Sequence, residues 1–170
     1  MRTLRVLLIS IPLLFSAAPR AQGEAMLEKP AGKVVLTISG QISNKNHDND
    51  AVFDMSMLGK LPQHTIATHT PWLPGVSRFT GPYLEDVLAL VGARGKMLKA
   101  IALNDYKTDI PLEDASRFNI VLALLLNGKP MPVRDKGPLF IVYPYDSQPE
   151  LRSELYYSRS AWQLKTLQVE

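Results

Sequence analysis

The chain has 170 residues, 46% of them hydrophobic and 21% charged, with a net charge of +3 and no cysteine. A chain of this length predicts one domain with a substantial core. The absence of cysteine excludes disulfides, thiol nucleophiles and thiolate metal ligands. No run of five or more Lys and Arg residues occurs, so a nucleic-acid-binding patch is not expected.

The N-terminus has the pattern of a secretory signal peptide over residues 1–25. Arg2 and Arg5 precede a short apolar run at residues 6–15, and small residues follow it. That run is too short for a transmembrane helix. A buried helix is the alternative, but no polar residue would give it a solvent face. We expect cleavage between Ala18 and Ala25, a periplasmic or secreted domain at residues 26–170, and no transmembrane segment in that domain. Removing the peptide lowers the net charge by two, to +1, because it carries three arginines and one glutamate.

The first half of the mature chain alternates strand patterns with turn residues. Strands are predicted at residues 33–42 and 64–70, because both are rich in β-branched residues. Between them, residues 51–63 predict a short strand and one helical turn capped by Asp54. Residues 71–81 are predicted to be a short loop that Pro71 and Pro74 stiffen.

The stretch "GPYLEDVLALVGA" predicts the clearest helix of the chain. Pro82 is expected in its first turn, and Glu85 and Asp86 suit the positive end of the helix dipole. Apolar residues recur at i, i+3, i+4 and i+7, as on the buried face of an amphipathic helix. Gly92 is typical of a helix end.

The second half predicts more sheet. Strands are expected at residues 96–105, 119–126, 137–145 and 161–170, with a turn and short helix at 108–118. Asn127–Gly128 predicts a tight hairpin, and residues 147–158 predict a short helix or a loop. About eight short strands with a few short helices indicate an α+β, mostly β, single domain.

Motifs for metal and hydrolytic chemistry are weak. His64 and His69 are five residues apart on a strand, so their side chains point to opposite faces. His47 lies in a polar loop without the glycine and glutamate of a calcium loop. No serine elbow or phosphate-binding glycine loop occurs. Four carboxylates could supply a catalytic pair, but turn and cap roles are favoured; they are Asp105, Asp109, Glu113 and Asp114. No metal or catalytic residue is therefore assigned.

Five blocks in order carry a family resemblance: "TPW", "RFTGPYLEDVLALVGA", "AIALNDYKTDIP", "LALLLNGKPMPVRDKGPLFIVYP" and "SRSAWQLKTLQVE". Together they resemble the oxidoreductase molybdopterin-binding domain of the sulfite oxidase superfamily, over nearly all of the mature chain. The resemblance implies a sulfite oxidase-type fold. It also implies a molybdenum-binding cysteine just upstream of "FTGPYL", but Thr68 or His69 stands there. A threonine or histidine is a poor substitute for that thiolate.

The resemblance also implies a binding cleft. We expect Thr68, His69, Thr70 and Trp72 to line it at the start of the helix predicted above, where free N–H groups favour an anion. Arg78, Arg134, Lys136 and Arg159 could bind a phosphate or carboxylate, with the three arginines converging. Asp105 and Tyr106 complete the expected site. For Arg134 and Lys136 a solvated turn is the alternative interpretation; Trp72 and Tyr106 could equally be core or rim, and Trp162 is expected in the core.

Two functions follow from these expectations. The first is a non-catalytic module that binds a small anionic or polar ligand and acts with a partner protein, such as a membrane sensor. The second is a molybdopterin-dependent oxidoreductase, or a subunit of one beside a redox partner, that holds its metal without cysteine. Molybdopterin is therefore the one cofactor that the sequence suggests.

Overall fold

The computed structural model describes residues 27–170, so the predicted signal peptide lies outside the described residues. Its largest sheet has five strands in the order β2-β1-β11-β5-β6. All neighbours are antiparallel except β1 and β11, which are parallel. The strands are β1 (Val34–Gly40), β2 (Ala51–Asp54), β5 (Met97–Ala102), β6 (Lys107–Pro111) and β11 (Leu164–Val169).

The described residues also form two smaller sheets. One has four strands in the order β3-β4-β8-β9 and the other pairs β7 with β10. Their bounds are β3 (His64–Thr70), β4 (Leu73–Gly81), β7 (Val121–Ala123), β8 (Leu125–Leu126), β9 (Lys129–Pro130) and β10 (Phe140–Val142). The predicted Asn127–Gly128 hairpin is confirmed, because it joins β8 to β9 with positive φ at both residues.

Within residues 27–170, four short helices and one 3-10 turn lie between the strands. They are α1 (Met55–Lys60), α2 (Leu84–Leu90), α3 (Glu113–Arg117), the 3-10 turn Pro149–Leu151, and α4 (Glu154–Arg159). The predicted cap of α1 is confirmed: Asp54 accepts a hydrogen bond from the Met57 N–H at 2.8 Å. This bond and those from the Gly32 and Ala31 N–H groups lower the pKa of Asp54. None of the helices in residues 27–170 is long and apolar enough to cross a bilayer.

One cluster of buried side chains is shared by all three sheets. It includes Leu36 of β1, Phe79 of β4, Phe140 of β10 and Leu164 of β11, each fully buried. The predicted inner face of α2 is also confirmed, since Leu84, Val87, Leu88 and Val91 are all buried in it. The fold is therefore α+β and mostly β, as the sequence indicated.

Several boundaries differ from the predictions. Residues 119–126 form two strands in different sheets, residues 107–111 are a strand and not a turn, and α2 begins two residues after Pro82. The largest difference is at residues 71–81, which form β4 and not a loop. Backbone pairing with β3 explains it, because the register runs from His64 opposite Gly81 to Thr70 opposite Leu73.

The β3–β4 hairpin moves the expected site away from helix α2. Since β3 and β4 are antiparallel, the chain returns to the His64 end before α2 begins, and His64 stacks on Tyr83 with ring centroids 3.7 Å apart. Thr70 lies six residues along the strand, about 20 Å away. Thr68, His69 and Thr70 therefore do not adjoin the N-terminus of α2, and the helix-dipole argument for an anion there was wrong.

Candidate functional site

Trp72, at the tip of the hairpin, is the centre of an aromatic cluster. Its ring centroid lies 5.3 Å from that of Trp162, 5.8 Å from Phe140, 5.9 Å from Tyr157 and 6.3 Å from Tyr145. Each contact is tilted or edge-to-face, which is the favoured arrangement of aromatic pairs. Trp72 of the hairpin therefore packs against α4, through Tyr157, and against Trp162 just before β11.

A cavity of about 250 Å³ opens beside this cluster. Its aromatic walls are Trp72, Tyr106, Tyr157 and Trp162. Its polar lining consists of Asn104, Glu154, Ser158 and Ser160. Tyr106 is fixed in place because its hydroxyl donates to the Ser158 carbonyl at 2.7 Å. Trp72 and Tyr106, which were expected to share a site, are therefore brought together, and Trp162 is a half-buried cavity wall.

Lys136 is part of the same aromatic cluster. Its ammonium Nζ lies 4.0 Å from the ring centroid of Trp162 and 5.5 Å from that of Trp72. Both distances are within the range of cation–π attraction. Burial lowers the pKa of Lys136, against a smaller opposing effect of Asp135. Lys136 is thus held against the indoles, although it is not among the residues that line the cavity.

Thr68 and His69 are both bound to Asp146. The buried Thr68 Oγ1 accepts from the Asp146 N–H at 3.0 Å. The Asp146 carboxylate accepts from the His69 N–H at 2.8 Å and contacts the His69 ring Nδ1 at 2.9 Å. The backbone bond is the main cause of the lowered pKa of Asp146. Thr68 therefore holds the hairpin to the loop after β10, while the His69 side chain is 63% exposed.

Thr70 differs from its neighbours on the strand. Its hydroxyl oxygen is buried and has no hydrogen-bond partner in the part of the chain that the structure describes. It does not line the aromatic cavity. Of the four hairpin residues expected in one cleft, Trp72 lines the cavity, whereas Thr68, His69 and Thr70 do not.

Arg159 is committed to an internal ion pair. One guanidinium nitrogen donates to the Asp114 carboxylate at 2.8 Å, and the Tyr143 hydroxyl donates to the same oxygen at 2.8 Å. Burial, together with the Asp114 charge, raises the pKa of Tyr143. The sequence assigned Asp114 a turn or cap role and did not reveal this network. The signal in the sequence was Tyr143, near the end of a predicted strand, because a buried tyrosine hydroxyl needs a hydrogen-bond partner.

The remaining predicted site residues do not line the cavity. Arg78 is an exposed residue of β4, and Arg134 is exposed in the turn after β9. Neither lines the cavity or forms an ion pair within residues 27–170. Asp105 is paired with Lys165 at 2.9 Å, which lowers the pKa of the Asp105 carboxyl. Arg78 and Arg134 are exposed, whereas Arg159 is paired with Asp114, so the three arginines do not share one environment.

Comparison with known proteins identifies the family. The family model described as oxidoreductase molybdopterin binding domain matches residues 31–146. The chain belongs to this family. No curated protein sequence matches it.

A solved structure confirms the fold of this molybdopterin-binding-domain member. The sulfane dehydrogenase SoxCD from Paracoccus pantotrophus superposes with a TM-score of 0.59 at 20% sequence identity. The match covers 79% of this chain and only 37% of the SoxCD chain. At that identity the similarity establishes a sulfite oxidase-like fold.

The residues present do not fit the cofactor in the family name. A molybdenum thiolate would need a cysteine, and the chain has none. The hydroxyl of Thr68 is instead used by the Asp146 backbone. In the aromatic cavity a phosphate would meet Glu154 and no cationic lining residue. Residues 27–170 also contain no cluster of three or more His, Asp or Glu side chains suited to a metal.

Proposed function

We propose that this family member is an exported, non-catalytic module that binds a small polar ligand and acts with a partner protein. The observation that carries the proposal is the combination at the hairpin: Thr68 and His69 are bound to Asp146, while Trp72 forms the wall of a small cavity. In this proposal, Thr68 and His69 have a structural role where the family's metal ligand was expected, and the cavity beside Trp72 is the binding site. Of the anionic and polar ligands expected from the sequence, the lining of this cavity favours the polar one.

The partner is inferred from the cavity surroundings. Leu103 and Leu155 are large exposed apolar residues, each next in sequence to a residue of the cavity lining, and Tyr106 of the lining is itself exposed. Exposed apolar groups around a site favour contact with another protein. A partner bound there would sense whether the cavity is occupied. The export signal at residues 1–25 would place this event in the periplasm or outside the cell.

The family match favours a second candidate, a molybdopterin-dependent oxidoreductase with non-cysteine ligation. Metal analysis separates the two. We expect protein purified from its native host to contain no stoichiometric molybdenum and to release no pterin fluorophore after denaturation. A cysteine-containing member of the family, purified from the same cells, is the positive control. One molybdenum per chain would overturn the proposal and establish the oxidoreductase.

A further inference from the structure

We propose that the cavity bounded by Trp72, Tyr106, Tyr157 and Trp162 binds a small organic cation of the quaternary-ammonium type. The inference rests on the proposed function and specifies the ligand of the same site. It is carried by the aromatic lining of the cavity, by the charge of Glu154 and by the position of Lys136.

The aromatic rings of the cavity wall lie at large angles to one another. The plane of Trp72 is inclined by 73° to that of Trp162 and by 75° to that of Tyr157. The face of an aromatic ring is the negative end of its quadrupole. Several aromatic rings around one small cavity are the arrangement of the aromatic cages that bind quaternary ammonium ligands.

Glu154 supplies a formal negative charge to this cavity. It lines the cavity, and no ion pair occupies its carboxylate within residues 27–170. Its neighbours in the lining, Asn104, Ser158 and Ser160, are neutral. An anionic ligand would meet like charge here, whereas a cation would meet opposite charge. The volume of about 250 Å³ is below the roughly 300–1,000 Å³ of sites for drug-sized ligands, so the cation must be small.

Lys136 places one cation of the chain against the aromatic cluster. Its ammonium lies within 6 Å of three ring centroids, those of Trp72, Phe140 and Trp162. This charge also competes with a bound cation, because like charges repel through the poorly screened interior. The cluster is therefore suited to a ligand whose charge is spread over methyl groups and loses little hydration energy on entry.

Intrinsic fluorescence provides the test, because both tryptophans of the chain line the cavity. Mature protein is titrated with choline chloride at constant ionic strength and, separately, with 3,3-dimethylbutan-1-ol, which has the same shape without the charge. We expect saturable quenching by choline and binding of the alcohol at least about 10-fold weaker, the value of a desolvated cation–π contact.

Variants test the assigned residues. Glu154→Gln should weaken choline binding about 3-fold or more. Glu150 is exposed and does not line the cavity, so the control variant Glu150→Gln should leave choline binding unchanged. Trp72→Leu should weaken it about 10-fold, with Trp72→Tyr retaining part of the affinity. Lys136→Met should tighten it by removing the competing charge. Thermal unfolding confirms that each variant is folded, and Glu154→Gln alters only an exposed side chain.

The outcomes are distinguishable. Three results would each overturn the cation assignment: no choline binding, equal binding of the alcohol, or choline binding that Glu154→Gln does not change. The proposed function would still stand in those cases, because the metal analysis tests it separately. Stoichiometric molybdenum would overturn the proposed function itself. Co-sedimentation with phosphatidylcholine vesicles but not with phosphatidylglycerol vesicles would identify a lipid headgroup as the source of the cation. Binding of free choline without co-sedimentation would identify a soluble one.

Discussion

At the scale of single residues, Asp114 connects three parts of the chain. Its carboxylate in α3 accepts from Tyr143 after β10 and from Arg159 in α4. The Asp114 and Arg159 side chains are only 5% and 17% exposed. Removing one partner of such a pair leaves a poorly solvated charge and an unsatisfied hydroxyl. We expect Asp114→Ala to reduce the free energy of unfolding by about 3 kcal/mol, measured by urea denaturation.

An exposed ion pair of the same helix is the matched control. Arg117 of α3 contacts Glu150 at 3.1 Å, with side chains 58% and 47% exposed. Because water screens such pairs, Glu150→Gln should change the unfolding free energy by less than about 1 kcal/mol. If Asp114→Ala were as mild as this control, the three-residue network would have no stabilising role. The position of α4 beside the cavity would then depend on other contacts.

At the scale of elements, the β3–β4 hairpin decides where the site lies. Its two strands were not equally predictable. Residues 64–70 alternate as a strand should, but Pro71, Pro74 and Gly75 indicate a loop to any interpretation based on local pattern. The register explains how β4 tolerates them: His69 pairs with Val76 and Thr70 with Leu73, so Pro74 and Gly75 lie in a bulge. Gly75 has a φ of 65° there. Backbone pairing with β3 therefore overrode the local pattern.

The other end of the hairpin depends on Gly81. A Cβ atom at this position would lie 1.9 Å from the backbone oxygen of Leu122 in β7. The backbones of β4 and β7 approach too closely for any side chain. We expect Gly81→Ala to lower the free energy of unfolding by about 2–3 kcal/mol, because one strand must move. Chemical denaturation measures this loss.

Gly59 provides the opposite case. It lies in α1, and a Cβ atom there would meet nothing within 4 Å. Gly59→Ala should therefore raise the unfolding free energy by about 0.5–1 kcal/mol through helix propensity. Equal effects of the two glycine substitutions would contradict the close approach of β4 and β7.

At the scale of the whole molecule, patterns within one segment were predictable and distances between segments were not. The Asp54 cap, the buried face of α2 and the Asn127–Gly128 turn depend on neighbours in sequence, so the residues alone indicated them. The meeting of Trp72 with Tyr157 depends on how the hairpin packs against α4. Likewise, Arg159 pairs with Asp114, which is 45 residues away. The positive charge of Arg78, Arg134 and Arg159 predicted that they could bind anions. It carried no information on the distances between the three side chains.

The distribution of charge over the molecule leads to the last prediction. Restoring a thiol by Thr68→Cys would supply one ligand, but Thr68 does not line the aromatic cavity, whose one charged lining residue is Glu154. Asp146 would also lose the acceptor of its N–H. We therefore expect Thr68→Cys and His69→Cys proteins, produced where molybdenum cofactor is available, to contain as little molybdenum as the natural protein by mass spectrometry. If either acquired one molybdenum per chain, the hairpin position would be a vacated ligand site and the surrounding residues would suffice to hold the cofactor.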